Sequence, residues 1–139
     1  EVAAYDKVLE GKRFLAAEDN FLNAGILTEL LELEGATVEI VENGQLAVER
    51  FEQASPGEFD AILMDVQMSV MNGHAAARAI RALDRADART IPIIAMTADA
   101  FVEDEKAALA AGMNAHVAKP LEIDDLKRAV DRHVEKGRA

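Results

Sequence analysis

The chain has 139 residues, half of them apolar, which is one domain's worth of sequence and enough to bury a core without a disulfide or metal staple. It has no cysteine, so structural disulfides, cysteine nucleophiles and thiolate metal sites are excluded, and the composition suits a reducing cytoplasm. With 26 acidic against 15 basic residues the formal charge is −11, which disfavours contact with nucleic acid or an anionic membrane through this domain, and no apolar run approaches the roughly 20 residues of a membrane span.

The first residue is glutamate, which reads as the start of a piece excised from a longer protein. Residues 1–11 form a polar lead-in or linker whose only large apolar side chains are Tyr5, Val8 and Leu9. The domain proper is expected over 12–135, with 136–139 as a tail. Strand-like runs then alternate with helix-like ones. The strands are Arg13 to Ala17, Thr37 to Val41, Ala61 to Met64, Ile91 to Met96 and Ala115 to Ala118, each short and mostly apolar, as strands buried on both faces should be. Between the first two, Leu22, Ile26, Leu30 and Leu33 recur at helical spacing and line one apolar face of a helix that ends at Gly35. A second helix starts near Asn43-Gly44, carries Leu46, Val48 and Phe51, and stops before Ser55-Pro56-Gly57. The third is alanine-rich, from His74 to Leu83. The fourth runs from Asp99 to Ala111 with Gly112 as its cap, and the fifth puts Ile123, Leu126, Val130 and Val134 on one side.

Five strands alternating with five helices predict an α/β fold, a doubly wound parallel sheet covered on both faces, because parallel neighbours need right-handed crossovers. In such sheets ligands bind beyond the carboxyl ends of the strands, at the topological switch point. Glu18-Asp19, Asp65, Thr97 and Lys119 all fall at or just past strand ends. Singly, each has a plain structural reading as a cap, a local hydrogen bonder or a solvated amine. Jointly they place three carboxylates, a hydroxyl and an ammonium on one crevice. Two carboxylates about 5 Å apart repel by roughly 3 kcal/mol at an effective dielectric of about 20, which a divalent cation would relieve. A carboxylate that accepts a phosphoryl group needs such a cation, and Mg²⁺ held by Asp19 and Asp65 suits the task. Lys119 and Thr97 would serve the remaining phosphoryl oxygens without a glycine-rich cradle.

On these residues the chain resembles the receiver domain of two-component response regulators, the CheY-like family. The matching segments are Glu18-Asp19-Asn20 with Asn23, Met64-Asp65-Val66-Gln67-Met68, Met96-Thr97-Ala98, Ala111-Gly112-Met113-Asn114-Ala115 and Ala118-Lys119-Pro120, over about residues 12 to 135. The spelling is most similar to receivers attached to hybrid histidine kinases. The resemblance implies a flavodoxin-like strand order 2-1-3-4-5. It implies Asp65 as phosphoacceptor, Asp19 as a direct Mg²⁺ ligand, Glu18 acting on the metal through water, and the Gln67 carbonyl completing the coordination. It implies Lys119 bridging to the phosphoryl group, Thr97 as the switch hydroxyl, and a cis Lys119–Pro120 bond. His116 stands where the family often has a tyrosine or phenylalanine that moves with the hydroxyl residue. A histidine there can rotate and hydrogen-bond, and it can equally be a strand-end surface residue without a switching role. His74 and His133 read as helical surface residues.

Two positions depart from the family: Ser69 replaces an expected proline, and Asn72 a common aspartate. Neither removes a group that touches phosphate or metal, and both bear on the mobility of the loop after Asp65 and on phosphoryl lifetime. The implied partner is a histidine kinase or histidine phosphotransfer protein. The fourth helix, fifth strand and fifth helix are the expected output surface and a candidate homodimer face. The domain would catalyse its own phosphorylation and dephosphorylation and would not be a free-standing metabolic enzyme. It would work in the cytoplasm, even if carried by a membrane-anchored kinase. Two rivals remain: a pseudo-receiver that is never phosphorylated and only binds protein, and a flavodoxin-like or phosphatase-type enzyme. Against the second, no glycine-rich phosphate loop follows the first strand, and one tyrosine with no tryptophan offers little for a flavin to stack on.

Overall fold

The structure, a computed structural model, describes residues 7–68, 70–98 and 102–134. Five parallel strands form one sheet in the order β2-β1-β3-β4-β5, with β1 at Arg13–Ala17, β2 at Thr37–Val41, β3 at Ala61–Asp65, β4 at Ile93–Thr97 and β5 at Ala115–Ala118. The helices are α1 (Phe21–Leu33), α2 (Gly44–Gln53), α3 (Gly73–Arg81), α4 (Val102–Ala110) and α5 (Ile123–His133), with one turn of 3₁₀ helix at Ala86–Ala88. The expected doubly wound CheY-like fold with order 2-1-3-4-5 is therefore present. The start expected for the fourth helix, at Asp99, lies outside the described residues, as do Ser69 and residues 136–139.

Strand alternation divides the core into two. Leu15, Ala17, Ile62, Met64, Ile93 and Ala95 point to the side covered by α2, α3 and α4, where Phe51, Ala76 and Ile80 meet them. Phe14, Ala16, Leu63, Ile94 and Met96 point to the side covered by α1 and α5, where Leu27, Leu31, Leu126 and Val130 pack. Burying each large side chain contributes about 1.5–3 kcal/mol, so both layers fix the register of the sheet. Because the path leaves β1 first to β2 and then to β3 on its other flank, the switch point falls between β1 and β3.

Several expectations are corrected in detail. The stripe Leu22, Ile26, Leu30, Leu33 does not face the core: Leu22 is 70% exposed, Ile26 52% and Leu33 82%, while Leu27 and Leu31 are the buried residues of α1. Leu46 of α2 is exposed as well, its place being taken by Ala47. Strand β4 begins at Ile93 and not Ile91, because Pro92 has no N–H for a ladder and contributes only its carbonyl, to Ile62 N at 2.9 Å. Leu9 is fully buried in the α1/α5 layer, and Gly11 N donates to Gly35 O at 2.9 Å, so the lead-in is tied to that layer and to the turn after α1.

Three asparagines start helices. Asn20 caps α1 by accepting from Asn23 N, Asn43 caps α2 by accepting from Leu46 N, and Asn72 caps α3 by accepting from Ala75 N. Asn72 thus keeps the capping role open to the aspartate it replaces. After it, Gly73 approaches β3 so closely that a Cβ there would sit 2.4 Å from the Asp65 carbonyl oxygen, and only glycine fits. The loop it closes is pinned at its base by Gly73 N donating to Val66 O at 2.9 Å. At its apex Val70 has φ 67°, a left-handed conformation that costs a β-branched residue roughly 1–2 kcal/mol.

Candidate functional site

Every strand that reaches the switch point delivers a polar residue as it leaves the sheet. From β1 come Glu18 and Asp19, from β3 Asp65, from β4 Thr97 and from β5, one residue later, Lys119. They line one crevice of about 210 Å³ together with Asn20, Asn23, Gln67 and Ala98. The expected site residues Glu18, Asp19, Asp65, Gln67, Thr97 and Lys119 are therefore brought together. Asn23, quoted only as part of a matching segment, also proves to line this crevice.

Burial separates the two acids of the pair. Glu18 and Asp65 are each 4% exposed, whereas Asp19 faces solvent. One ligand oxygen from each of the three carboxylates can be chosen so that all lie within 4.8 Å of one another. Lys119 Nζ reaches Asp65 Oδ2 at 2.9 Å and Glu18 Oε1 at 3.0 Å, so one ammonium spans two buried carboxylates. Glu18 Oε2 accepts from Asn20 N at 3.1 Å, and Asp65 Oδ1 accepts from Gln67 N at 3.3 Å. Each buried acid thus has a backbone donor on one oxygen and the lysine on the other, which holds both carboxyl planes in place.

The electrostatics follow from that arrangement. Burial pushes the Asp65 carboxyl above its ordinary range; Lys119 opposes the shift and the neighbouring Glu18 charge adds to it. For Lys119, burial works against the charged form, but the hydrogen bonds and charges of Asp65 and Glu18 outweigh it and hold the ammonium above the ordinary lysine range. Three carboxylates facing one ammonium leave an excess of two negative charges. Oxygen ligands, net charge −2 and a half-open crevice fit a hard divalent cation such as Mg²⁺ and give no foothold to soft metals.

Lys119 and Pro120 are joined by a cis peptide bond, as the resemblance implies, and Lys119 N donates to Thr97 O at 2.8 Å. His116 is paired in register with Ala95. Its Nδ1 lies 3.4 Å from Glu105 Oε2 of α4, so the side chain faces outward. His74 departs from a simple surface residue: its Nε2 is buried with no hydrogen-bond partner. His133 lies at the end of α5.

The response regulator receiver domain profile matches residues 14–131. Hybrid signal transduction histidine kinase M of Dictyostelium discoideum is 41% identical over 109 residues, which is 78% of this chain and 4% of that protein. A crystal structure of the receiver domain of sensor histidine kinase PA1611 from Pseudomonas aeruginosa, with magnesium coordinated in its active-site cleft, superposes with a TM-score of 0.78 at 38% identity, covering 88% of this chain and 97% of that one. A co-crystal structure of the Saccharomyces cerevisiae histidine phosphotransfer protein Ypd1 with the receiver domain of Ssk1 matches with a TM-score of 0.76 at 27% identity, covering 90% of each chain. The chain spans only 4% to 14% of the length of the first curated relatives it matches.

Proposed function

Since the chain belongs to the response-regulator receiver-domain family, in the form carried by hybrid histidine kinases, we propose that Asp65 is its phosphoacceptor and that the phosphoryl donor is a protein phosphohistidine. The observation that carries this reading is the Lys119 ammonium bridging Asp65 and Glu18 at 2.9 and 3.0 Å beside an exposed third carboxylate. A structural ion pair would need one acid, not three.

Asp65 acts as the nucleophile through a carboxylate oxygen, while Lys119 keeps its Oδ2 oriented and meets the charge that collects on the phosphoryl oxygens. Thr97, at the end of β4, offers a hydroxyl to the same oxygens. Asp19, Glu18, Asp65 and the Gln67 carbonyl are the oxygen donors that would hold Mg²⁺, with Asp19 and Asp65 as direct ligands and Glu18 through water. When bound, this cation supplies the positive charge that lets an anionic nucleophile meet an anionic phosphoryl group. The domain then releases phosphoryl either by hydrolysis or by onward transfer.

The donor has to approach over the rim of this crevice. α1 starts at that rim and presents Phe21 at 90% exposure, Leu22 at 70% and Ile26 at 52%, an apolar face that no described residue covers. We read it as the seat of the phosphohistidine-bearing partner, with helical apolar surface against helical apolar surface. The α4–β5–α5 side, where Glu105 and His116 meet above a groove lined also by Leu109 and Arg132, is the output and candidate homodimer face. A reducing, cytoplasmic setting suits a chain without cysteine. Incubation with acetyl phosphate and Mg²⁺ tests the function: one added phosphoryl group by intact mass, abolished by chelation, is expected. A chain that stays unmodified would be a pseudo-receiver.

A further inference from the structure

The geometry points to Val70 as a specificity-determining contact for the protein that donates phosphoryl. This deepens the reading of Asp65 as phosphoacceptor and rests on it. Among the described residues Val70 is the one non-glycine with positive φ, at 67°, and its side chain is 80% exposed. These are two separate costs: a β-branched residue disfavours the left-handed region, and an exposed isopropyl group gains nothing from solvent. Glycine or asparagine at this position would avoid both.

The rest of the loop does not need a valine. Met68 and Met71 on either side already pack on the core, Gly44 N donates to Met71 O at 3.3 Å, Asn72 caps α3, and the Gly73–Val66 hydrogen bond closes the base. An anchored loop with a strained, outward apolar apex holds that side chain in one place. Val70 is three residues beyond Gln67, which lines the crevice, so it lies within about 11 Å of chain from that lining. The apolar face of α1 begins three residues after Glu18, on the opposite side of the sheet. Two apolar rims therefore flank one acidic crevice, and a single partner seated over Asp65 meets both. The occupant that fits is a helical protein with apolar side chains around its phosphohistidine. A small phosphodonor enters the crevice without touching either rim.

Initial rates of phosphorylation of the wild-type chain, Val70→Gly and Val70→Asn by phosphoramidate and by phosphorylated Ypd1 test this. Both variants tolerate φ 67°, so both fold. Transfer from Ypd1 should fall about tenfold or more in each, as for truncation of a buried contact, with phosphoramidate rates within about twofold of wild type. Equal losses with both donors would mean that Val70 shapes the chemistry and not the docking, and unchanged rates with Ypd1 would mean that it contacts nothing. A wild type that accepts from phosphoramidate but not from Ypd1 would also overturn the proposal. Failure with both donors would instead remove the phosphoacceptor reading itself.

Discussion

Lys119 and Asp65 are joined across the edge of the sheet, Nζ to Oδ2 at 2.9 Å, and the same ammonium holds Glu18 Oε1 at 3.0 Å. The lysine comes from β5 and the aspartate from β3, with the whole of β4 between them. The contact exists because parallel strands all end at one edge. It also aims a fixed positive charge at the place where phosphoryl oxygens would gather. Replacing Lys119 by alanine should lower the rate of phosphorylation by acetyl phosphate about 10²- to 10³-fold, the usual cost of removing one aimed donor. Rates measured under saturating Mg²⁺ would check this, since they separate loss of the donor from any change in metal affinity.

The raised Asp65 carboxyl has a consequence for stability. A group whose folded-state pKa lies above its unfolded value favours the folded protein when protonated, and that contribution is lost as pH rises through the folded pKa. At neutral pH, without metal, ionised Asp65 is therefore a burden on the fold. Asp65→Asn should raise the midpoint of thermal unfolding at pH 7 by a few degrees, each kcal/mol being worth about 4 °C in a domain of this size. The gain should vanish below the ordinary aspartate value of 3.8. Thermal melts of both proteins from pH 3.5 to 8 in chelator would show it, and a destabilised variant at pH 7 would contradict it.

Mg²⁺ should reverse that burden. A cation present at a hundredfold excess over its Kd stabilises the folded chain by about 2.7 kcal/mol. Asp19→Asn deletes the exposed carboxylate and should weaken Mg²⁺ binding roughly 10- to 100-fold, with little change in stability in chelator because Asp19 is not part of the core. Titration calorimetry with Mg²⁺ checks the first expectation and melts in chelator the second.

How far the sequence could be read depended on how many structural roles each residue had open to it. Strands β1, β2 and β5 match their expected bounds because turn residues or charges flank each apolar run. The convergence of the candidate site was legible for a related reason: three acids, a hydroxyl and a lysine gathered at strand ends share almost no purely structural role. α1 was misread because it carries two apolar stripes, Leu22/Ile26/Leu33 and Leu27/Leu31, and helical periodicity cannot say which one meets Leu126 and Val130 of α5. The stripe that looked like core is the one left exposed. Leu9 was missed because a single leucine in a polar segment has no period to reveal it. The unequal burial of Glu18 and Asp19 was hidden too, since it depends on how the chain turns after Ala17.

The exposed stripe carries its own expectation. Leu22→Lys with Ile26→Glu should leave the melting temperature within about 2 °C of wild type, as for surface positions away from the core, and leave acetyl phosphate reactivity unchanged. Transfer from phosphorylated Ypd1 should fall at least tenfold. Parallel kinetics with the two donors would decide it.

On the proposed reading, a signal that leaves the site passes through Thr97, whose strand β4 leads into the α4 region, and reaches His116 on the neighbouring strand β5, where it pairs in register with Ala95. NMR spectra with beryllofluoride, a phosphoryl mimic, should show distant shifts along β5 and α5, including His116, and Thr97→Ala should erase most of them. Shifts confined to the neighbours of Asp65 would leave the domain as a relay without a switching surface.

The most direct measurement is the location of the phosphoryl group. The chain is phosphorylated with acetyl phosphate and Mg²⁺ and reduced with borodeuteride, which converts an aspartyl phosphate to homoserine. It is then mapped by peptide mass spectrometry. Deuterated homoserine at position 65 and nowhere else, absent from Asp65→Asn, is the predicted result. Label at Asp19 or at any other carboxylate, or label that persists in Asp65→Asn, would contradict the account.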